Sequence, residues 1–297
     1  MEDGLDLERY LAEKNGIINK RLEELLVKKD EYPQSLHAAM HYSLFAGGKR
    51  LRPVLTLAAN EAVGGNMEDA LDTACAVECV HTYSLIHDDL PALDNDDLRR
   101  GRPTCHKAFG EAVAILAGDA LLTAAFEMAA NSRGAQKDAV LKAVSELARA
   151  AGSTGMIGGQ VVDLESEGKE TAFPVLEYIH IHKTGELILA SIRCGAMLGN
   201  AEEDELAALT RYGRSAGLAF QIADDILDVK GSSSETGKPT GGDKKKGKAT
   251  YPALVGVAES GKRAKELADM AIDALKGFDK NADPLREIAR YIVARKK

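Results

Sequence analysis

The chain has no tryptophan and only 14 aromatic residues among 297, namely eight Tyr and six Phe. Its apolar side chains are therefore mostly small and aliphatic, with 45 Ala and 34 Leu. Both residues are strong helix formers, whereas strands are enriched in β-branched and aromatic residues. The composition predicts an all-α protein and excludes a β-rich sandwich or barrel.

Cysteine, net positive charge and long apolar runs are also scarce. Four Cys in so long a chain form no disulfide framework, which indicates buried free thiols in a reducing, cytoplasmic compartment. The formal net charge of −8 argues against nucleic acid as a partner, because binding to phosphate backbones draws on clustered Lys and Arg. The longest run without Asp, Glu, Lys, Arg or His, 150–162, has 13 residues. Crossing a bilayer takes roughly 18–20, so no membrane span is predicted.

Apolar residues recur at three- and four-residue spacing through most of the chain, which predicts about a dozen helices. No internal repeat or linker interrupts them, so residues 1–297 are expected to form a single domain. The segment 231–248 is rich in Gly, Ser and Lys, which predicts a surface loop that could act as a lid. The predicted helices lie near 5–28, 33–46, 51–63, 67–89, 109–131, 136–151, 153–165, 174–182, 184–198, 202–229, 250–277 and 283–295.

The first candidate site is the acidic run DDLPALDNDD at 88–97, which carries five carboxylates in ten residues. Cations must balance such a run, and aspartate oxygens are suitable ligands for Mg²⁺. Because Pro91 tends to end the preceding helix at Leu90, Asp94 must return towards Asp88 through a turn. The alternative for this motif alone is a solvated acidic loop.

The second candidate site is the segment QIADDILD at 221–228. Gln221, Asp224, Asp225 and Asp228 fall at i, i+3, i+4 and i+7, which places them on one face of an α-helix. The other faces are aliphatic, so the helix is expected to be buried, where unpaired carboxylates are costly. A solvated helix face is the alternative, but two Asp-rich motifs together are more specific than either.

Several cationic residues accompany the two acidic motifs. Each could form an ordinary ion pair. Together, acids that hold Mg²⁺ and bases that hold phosphate oxygens are the two halves of a diphosphate site, and their number suggests room for two diphosphates. The cationic candidates are Lys49, Arg50, Arg52, His81, Arg99, Arg100, Lys183 (beside Thr184), Lys238 and Lys248.

These motifs, taken in order, resemble those of the trans-polyprenyl diphosphate synthases over essentially the whole chain. The matching blocks are GGKRLRP, ECVHTYSLIHDDLPALDNDDLRRGRPTCH, LAGDALL, GGQVVDL, HKTG, GLAFQIADDILD and GKATYPAL. The two-residue insertion that gives DDLPALD instead of DDxxD is similar to that of bacterial-type farnesyl diphosphate synthases. The resemblance implies a single large antiparallel helical bundle around a deep central cavity, the isoprenoid synthase type, and a homodimer.

The resemblance also implies a role for individual residues and a metal requirement, Mg²⁺ with up to three ions per active site and Mn²⁺ as a substitute. The implied metal ligands are Asp88, Asp89, Asp94, Asp224, Asp225 and Asp228. The residues implied to contact the allylic diphosphate are Arg99, Lys183, Thr184, Gln221, Lys238 and Lys248, and all of these except Lys248 are also implied to be catalytic. The residues implied to bind isopentenyl diphosphate are Lys49, Arg52, His81 and Arg100.

Product length is expected to depend on the residues that precede Asp88. Tyr83 lies five residues earlier, about 7.5 Å deeper at ~1.5 Å per residue, so its ring could close the pocket below the growing chain. In the family, an aromatic residue here together with the insertion implies a farnesyl product. A helical wheel disagrees, because Ser84 is only about 40° from Asp88 whereas Tyr83 is about 140° away. Tyr83 as a simple packing residue is the alternative.

The sequence thus predicts a Mg²⁺-dependent prenyltransferase that joins dimethylallyl or geranyl diphosphate to isopentenyl diphosphate and releases farnesyl diphosphate and pyrophosphate. Geranylgeranyl diphosphate is the alternative product. A class I terpene cyclase is more remote, because it needs no second diphosphate site and typically lacks a DDILD-like second motif. An inactive regulatory subunit of a heteromeric synthase is also more remote, because both Asp-rich motifs are complete here.

Overall fold

The structure is a computed structural model that describes residues 5–230 and 249–295. Within these ranges it is all-α, as predicted, apart from one two-stranded ribbon. The helices are α1 (Leu7–Leu25), α2 (Gln34–Leu44), α3 (Leu51–Ala62), α4 (Met67–Asp88), α5 (Cys105–Phe109), α6 (Glu111–Ala130), α7 (Lys137–Ala151), α8 (Met156–Ser166), α9 (Phe173–Ile179), α10 (Glu186–Leu198), α11 (Glu203–Lys230), α12 (Tyr251–Val255), α13 (Val257–Ala274) and α14 (Asp283–Ala294).

Three short elements complete the described part of the chain. A π-helical turn, His180–Gly185, joins α9 directly to α10, and a 3₁₀ turn, Lys280–Ala282, precedes α14. Strand β1 (Leu98–Arg99) pairs antiparallel with β2 (Arg102–Pro103), immediately after the first acidic motif. The sequence pattern did not predict this ribbon, because two-residue strands are too short to show a period.

Two of the predicted helices are each interrupted by a glycine. Gly110 has φ 84° and separates α6 from the short helix α5, of which the predicted helix 109–131 includes only Phe109. Gly256 has φ 83° and separates α12 from α13 within the predicted helix 250–277. Glycine adopts positive φ at no steric cost, whereas residues with a Cβ rarely do, so each glycine allows the chain to change direction without a longer loop.

Helix α4 is central, and it packs against α3, α6 and α10. Its residues 70–80 are buried on every side, which small residues such as Ala74 and Ala76 permit. The approach of α3 to α10 is equally close, because a Cβ at Gly195 would lie 1.9 Å from the carbonyl oxygen of Thr56. The Ala-rich composition therefore produces close helix packing, as dense interiors require.

The four cysteines are all buried and free, as the sequence predicted. Burial raises the pKa of the Cys75, Cys79 and Cys194 thiols above the ordinary value, which keeps them protonated at neutral pH. Such thiols behave as small apolar core residues.

One helix among the described residues, α6, is long and apolar enough to cross a membrane by length and composition. It carries Glu111, Asp119 and Glu127, packs against α4, and is 39% buried over its most apolar window. A core helix of a soluble protein passes the same test, so one such helix is weak evidence for a span.

Candidate active site

A cavity of about 430 Å³ lies between the C-terminal half of α4, helix α8 and the π-helical turn. Its lining combines charged and polar side chains with apolar ones. The polar lining residues include Arg52, His81, Asp88, Gln160, Lys183 and Thr184. The aromatic and aliphatic ones include Tyr83, Met156, Ile157, Val161 and Leu164. A molecule with an anionic head and an apolar tail fits such a lining.

The first acidic motif forms the turn that the sequence predicted. Helix α4 ends at Asp88, and the backbone N–H of Asp94 donates to the backbone carbonyl of Asp88 at 2.8 Å. The side chain of Asp88 accepts a hydrogen bond from Gln160 Nε2 at 2.6 Å, and Lys183 Nζ is 3.9 Å from it. Asp88 and Asp94 are both partly exposed, and carboxylate oxygens are ligands that suit a hard cation such as Mg²⁺.

The adjacent residue Asp89 has a different environment. Only 2% of it is exposed, and its two oxygens accept hydrogen bonds from Arg99 Nε at 2.7 Å and Nη2 at 2.6 Å. Burial alone would lower the pKa of Arg99, but the bonds to Asp89 outweigh it and raise that pKa. A bidentate pair of this kind holds both groups in one geometry. Asp89 and Arg99, which the resemblance assigned to metal and to diphosphate, therefore contact each other.

The second acidic motif lies on α11, but its carboxylates have different neighbours. Asp225 is buried and accepts hydrogen bonds from Gln221 Nε2 at 3.0 Å and from the backbone N–H of Tyr251 at 2.9 Å. Asp224 is paired with Arg295, next to the described C-terminus. On the helix face that the spacing predicted, Asp225 is thus buried whereas Asp224 is partly exposed.

Among the described residues, no three His, Cys, Asp or Glu side chains form a preformed metal cluster. Mg²⁺ is usually held by one or two carboxylates together with waters and substrate phosphates. The donor chemistry of Asp88, Asp94 and Asp224 fits such a metal, since each offers a partly exposed carboxylate.

The π-helical turn brings Lys183 and Thr184 to the site. Lys183 Nζ bonds to Asp163 Oδ2 at 2.7 Å, and Asp163 is on α8. A second, smaller cavity of about 110 Å³ is lined by Lys183, Thr184, Gln221 and Asp225. Thr184 and Gln221, which the resemblance assigns to the allylic diphosphate, therefore share one cavity wall.

The predicted isopentenyl diphosphate set surrounds the loop before α3. Arg52 Nη1 lies 3.4 Å from His81 Nε2. Arg52 Nε is buried and has no hydrogen-bond partner among the described residues. Burial, and then the positive charge of Arg52, lower the pKa of His81 well below its ordinary value, so the ring is neutral. Arg52 therefore offers a bound anion a fixed positive charge and a buried N–H group that has no partner among the described residues.

Two further residues of that set lie on or beside the same loop. Lys49 is exposed, with Nζ 5.4 Å from the centroid of the Tyr291 ring. Arg100 donates to the carbonyl of Gly47, and a Cβ at Gly48 would lie 2.7 Å from the guanidinium carbon of Arg100. The two glycines therefore allow the backbone to close around Arg100, since Gly48 also has φ 126°.

Several residues differ from the sequence-based picture. Arg50, a candidate cation, is a core residue that bonds to Glu78 Oε1 at 2.8 Å and is 4% exposed. The sequence reasoning missed Gln160, Asp163 and Arg295 as partners of the site. Gln160 and Asp163 lie three residues apart in the block GGQVVDL, and this spacing could have indicated that they share a helix face. No sequence pattern indicated Arg295. Lys238, Lys248 and the predicted lid lie outside the described residues.

Tyr83 and Ser84 both line the large cavity, although the helical wheel had favoured only Ser84. Tyr83 is 5% exposed, and burial raises its pKa to about 12. The Ser84 hydroxyl donates to the carbonyl of His81 at 2.8 Å. The cavity is wide enough to touch both residues, so the two predictions are compatible.

Several known proteins are similar to this chain over most of its length. Geranylgeranyl pyrophosphate synthase, chloroplastic, from Capsicum annuum is 48% identical over 297 residues, 99% of this chain and 80% of that protein. Geranylgeranyl diphosphate synthase from Cyanophora paradoxa is 46% identical, covering 99% of this chain and 98% of that protein. The crystal structure of an FPP/GFPP synthase from Zymomonas mobilis matches with a TM-score of 0.87 at 39% identity, over 97% of this chain and 99% of that one.

The comparison with known protein families covers most of the chain. The model of the polyprenyl synthetases matches residues 33–289, from the start of α2 into α14. The predicted isoprenoid synthase type of fold is confirmed by the whole-length structural match. On the agreement of sequence, fold and family model, the chain is a prenyltransferase that belongs to the polyprenyl synthetase family.

Proposed function

We propose that this protein is a Mg²⁺-dependent farnesyl diphosphate synthase, which adds isopentenyl diphosphate head-to-tail to dimethylallyl and then geranyl diphosphate. The observation that carries the product assignment is Tyr83, which lies on the wall of the large cavity one and a half helical turns before Asp88. Its ring limits the room for a prenyl chain whose diphosphate is held at Asp88.

The charged residues support the ionisation step. When an allylic diphosphate ionises, negative charge grows on the leaving group, and preorganised cations stabilise that charge in the transition state. Lys183 at the cavity and Arg99 beside Asp89 are the described cations in position for this role. Mg²⁺ on Asp88, Asp94 and Asp224 would neutralise further charge on the diphosphate when bound. We propose Asp89, Asp225 and Asp228 as further ligands; Asp89 and Asp225 are buried against protein donors, and Asp228 is partly exposed.

The second substrate is proposed to bind at the cationic set next to α3. Arg52 and His81 line the same cavity as Asp88, so a diphosphate held there would bring its hydrocarbon tail towards the allylic carbon. No nucleophilic side chain is needed, because the double bond of isopentenyl diphosphate attacks the cation. The released diphosphate can then accept the proton that is lost, and the aliphatic wall on α8 excludes water that would quench the cation.

Geranylgeranyl diphosphate is a second candidate product, and the names of both relatives described above support it better than the farnesyl product. The solved structure that is 39% identical is called an FPP/GFPP synthase, so product length varies among similar proteins. We retain the farnesyl proposal because Tyr83 belongs to this chain's own cavity wall.

We further propose that the enzyme acts in the cytoplasm as a homodimer of single-domain subunits. The free buried cysteines support a reducing compartment. Ile115 and Leu116 on α6 are 44% and 57% exposed, an apolar surface that a second copy could cover. Sedimentation equilibrium across a range of protein concentrations tests the dimer, and a monomer throughout would refute it.

Incubation with labelled isopentenyl diphosphate and each allylic starter in turn tests the proposal. After dephosphorylation, chromatography of the alcohols should show farnesol as the main prenol in the presence of Mg²⁺ and none after chelation. Geranylgeraniol as the main prenol would support the second candidate. No elongated prenol with any starter would refute the synthase proposal, and cyclised hydrocarbons would indicate a terpene cyclase instead.

A further inference from the structure

The ring of His87 connects the proposed product-length residue to the neighbouring helix α6. His87 is on α4, four residues after Tyr83, and the two rings meet edge to face with centroids 5.6 Å apart and an interplanar angle of 88°. On its other side, His87 Nε2 donates to the backbone carbonyl of Ile115 at 3.0 Å. His87 therefore occupies the space between Tyr83 and α6.

Gly118 on α6 makes room for this ring. A Cβ at Gly118 would lie 2.2 Å from His87 Nε2 and 2.5 Å from Cδ2, distances at which the imidazole must move. Glycine inside a helix lowers helix stability relative to alanine, so its presence in the middle of α6 needs a reason. The close approach of His87 supplies that reason, and it explains the glycine of the LAGDALL block.

The hydrogen bond also fixes the orientation of the imidazole. A backbone carbonyl accepts hydrogen bonds, so Nε2 carries the proton and the ring plane is set by α6. The edge of the ring that faces Tyr83 is then fixed as well, and edge-to-face pairs favour one mutual orientation. Both rings line the large cavity.

We propose that His87 is a positioning residue for product length, because it keeps the Tyr83 ring in place across the path of the growing prenyl chain. The Ile115 carbonyl orients His87, and Gly118 leaves the space that its ring occupies. This inference rests on the proposed synthase function. It predicts that product length depends on α6, a helix that contributes no residue to the cavity lining described above.

Four variants test the inference in the product assay with Mg²⁺, isopentenyl diphosphate and geranyl diphosphate. In His87→Ala, Tyr83 loses its ring partner, and in Gly118→Ala the new methyl group displaces the imidazole. Each should raise the ratio of longer to wild-type prenols about three- to tenfold, which lies within the range that an edge-to-face pair can produce. The double variant should resemble His87→Ala alone, because the added methyl group then has no ring to displace.

Gly16→Ala is the matched control, since a Cβ at this glycine of α1 meets nothing within 4 Å. It should leave the product ratio unchanged. Circular dichroism and thermal melts identify variants that are merely destabilised, and a loss of stability alone would not change the ratio of products. Folded His87→Ala and Gly118→Ala with ratios within about twofold of wild type, or additive effects in the double variant, would overturn the inference. A wild type that makes no elongated prenol would refute the proposed function instead.

Discussion

The carboxylate of Asp225 accepts a hydrogen bond from the backbone N–H of Tyr251 at 2.9 Å, which joins α11 to the start of α12. His180 Nε2 lies 3.3 Å from the same carboxylate, and the His180 and Tyr251 rings stack with centroids 5.4 Å apart. One residue of the second acidic motif therefore connects three elements around the smaller cavity. Its neighbour Asp224, one position earlier, faces Arg295 instead.

Replacing Asp225 with Ala should destabilise the fold. The substitution leaves the buried Tyr251 N–H without its acceptor, which costs about 1–3 kcal/mol for an unsatisfied buried group, and it also removes the partner of the part-buried Gln221 amide. Urea denaturation followed by circular dichroism measures the change. Asp228→Ala, at a partly exposed position of the same helix, is the control and should stay within about 0.5 kcal/mol of wild type. Equal stabilities of the two variants would contradict the structural role of Asp225.

Asp224→Ala should lose turnover while the protein stays folded. The proposed role of Asp224 is electrostatic, and the removal of one preorganised group of this kind reduces kcat by on the order of 10²–10³-fold. Initial rates at saturating Mg²⁺ and substrates provide the measurement, with circular dichroism as the check on folding. The exposed acid Asp269 on α13 offers a control, since Asp269→Ala removes the same charge far along the chain from both motifs. Retained activity in Asp224→Ala would remove this carboxylate from the mechanism.

Tyr83→Ala should lengthen the product, because it removes the ring from the cavity wall. With geranyl diphosphate as the starter, prenols longer than the wild-type product should become the main species on chromatography. Ser84→Ala removes only a hydroxyl that already donates to the His81 carbonyl, so it should change the product far less. An unchanged product in Tyr83→Ala would show that another part of the wall sets the limit.

His81 should make the stability of the protein depend on pH. Its folded-state pKa lies well below the ordinary value of about 6.5, so above pH 6.5 the ring is neutral in both folded and unfolded chains and has no effect. As the pH falls below 6.5, the unfolded chain binds a proton that the folded chain does not, so the folded state becomes progressively less stable. The loss approaches about 1.4 kcal/mol per pH unit for one such group.

Urea denaturation of wild type and His81→Gln at pH 7.5, 6.5 and 5.5 measures this dependence. Other groups titrate in both proteins, so the difference between the two proteins isolates His81. The free energy of unfolding should fall more steeply with decreasing pH in wild type than in the variant. Parallel curves would show that the folded His81 binds its proton as readily as the unfolded one.

Local patterns in the amino-acid sequence were enough to predict the helices and the composition of the site. Apolar periodicity and glycine breaks locate most helix boundaries because both act over a few residues, and the proline after Asp89 shows that the chain must turn before Asp94. The fold class and the family were accessible for the same reason, since they depend on local patterns and on blocks that occur in order. Gly110 and Gly256 were the exceptions, because their positive φ depends on the packing of the helices on both sides.

Which charged residues contact each other became visible only in the folded protein. Asp88 and Asp89 are neighbours in sequence, yet Asp88 faces Gln160 and Lys183 whereas Asp89 is buried against Arg99. A helix turns about 100° per residue, so adjacent side chains meet different partners, and the identity of those partners comes from helices far away in sequence. Burial and charge pairing depend on such distant contacts, which no local pattern encodes.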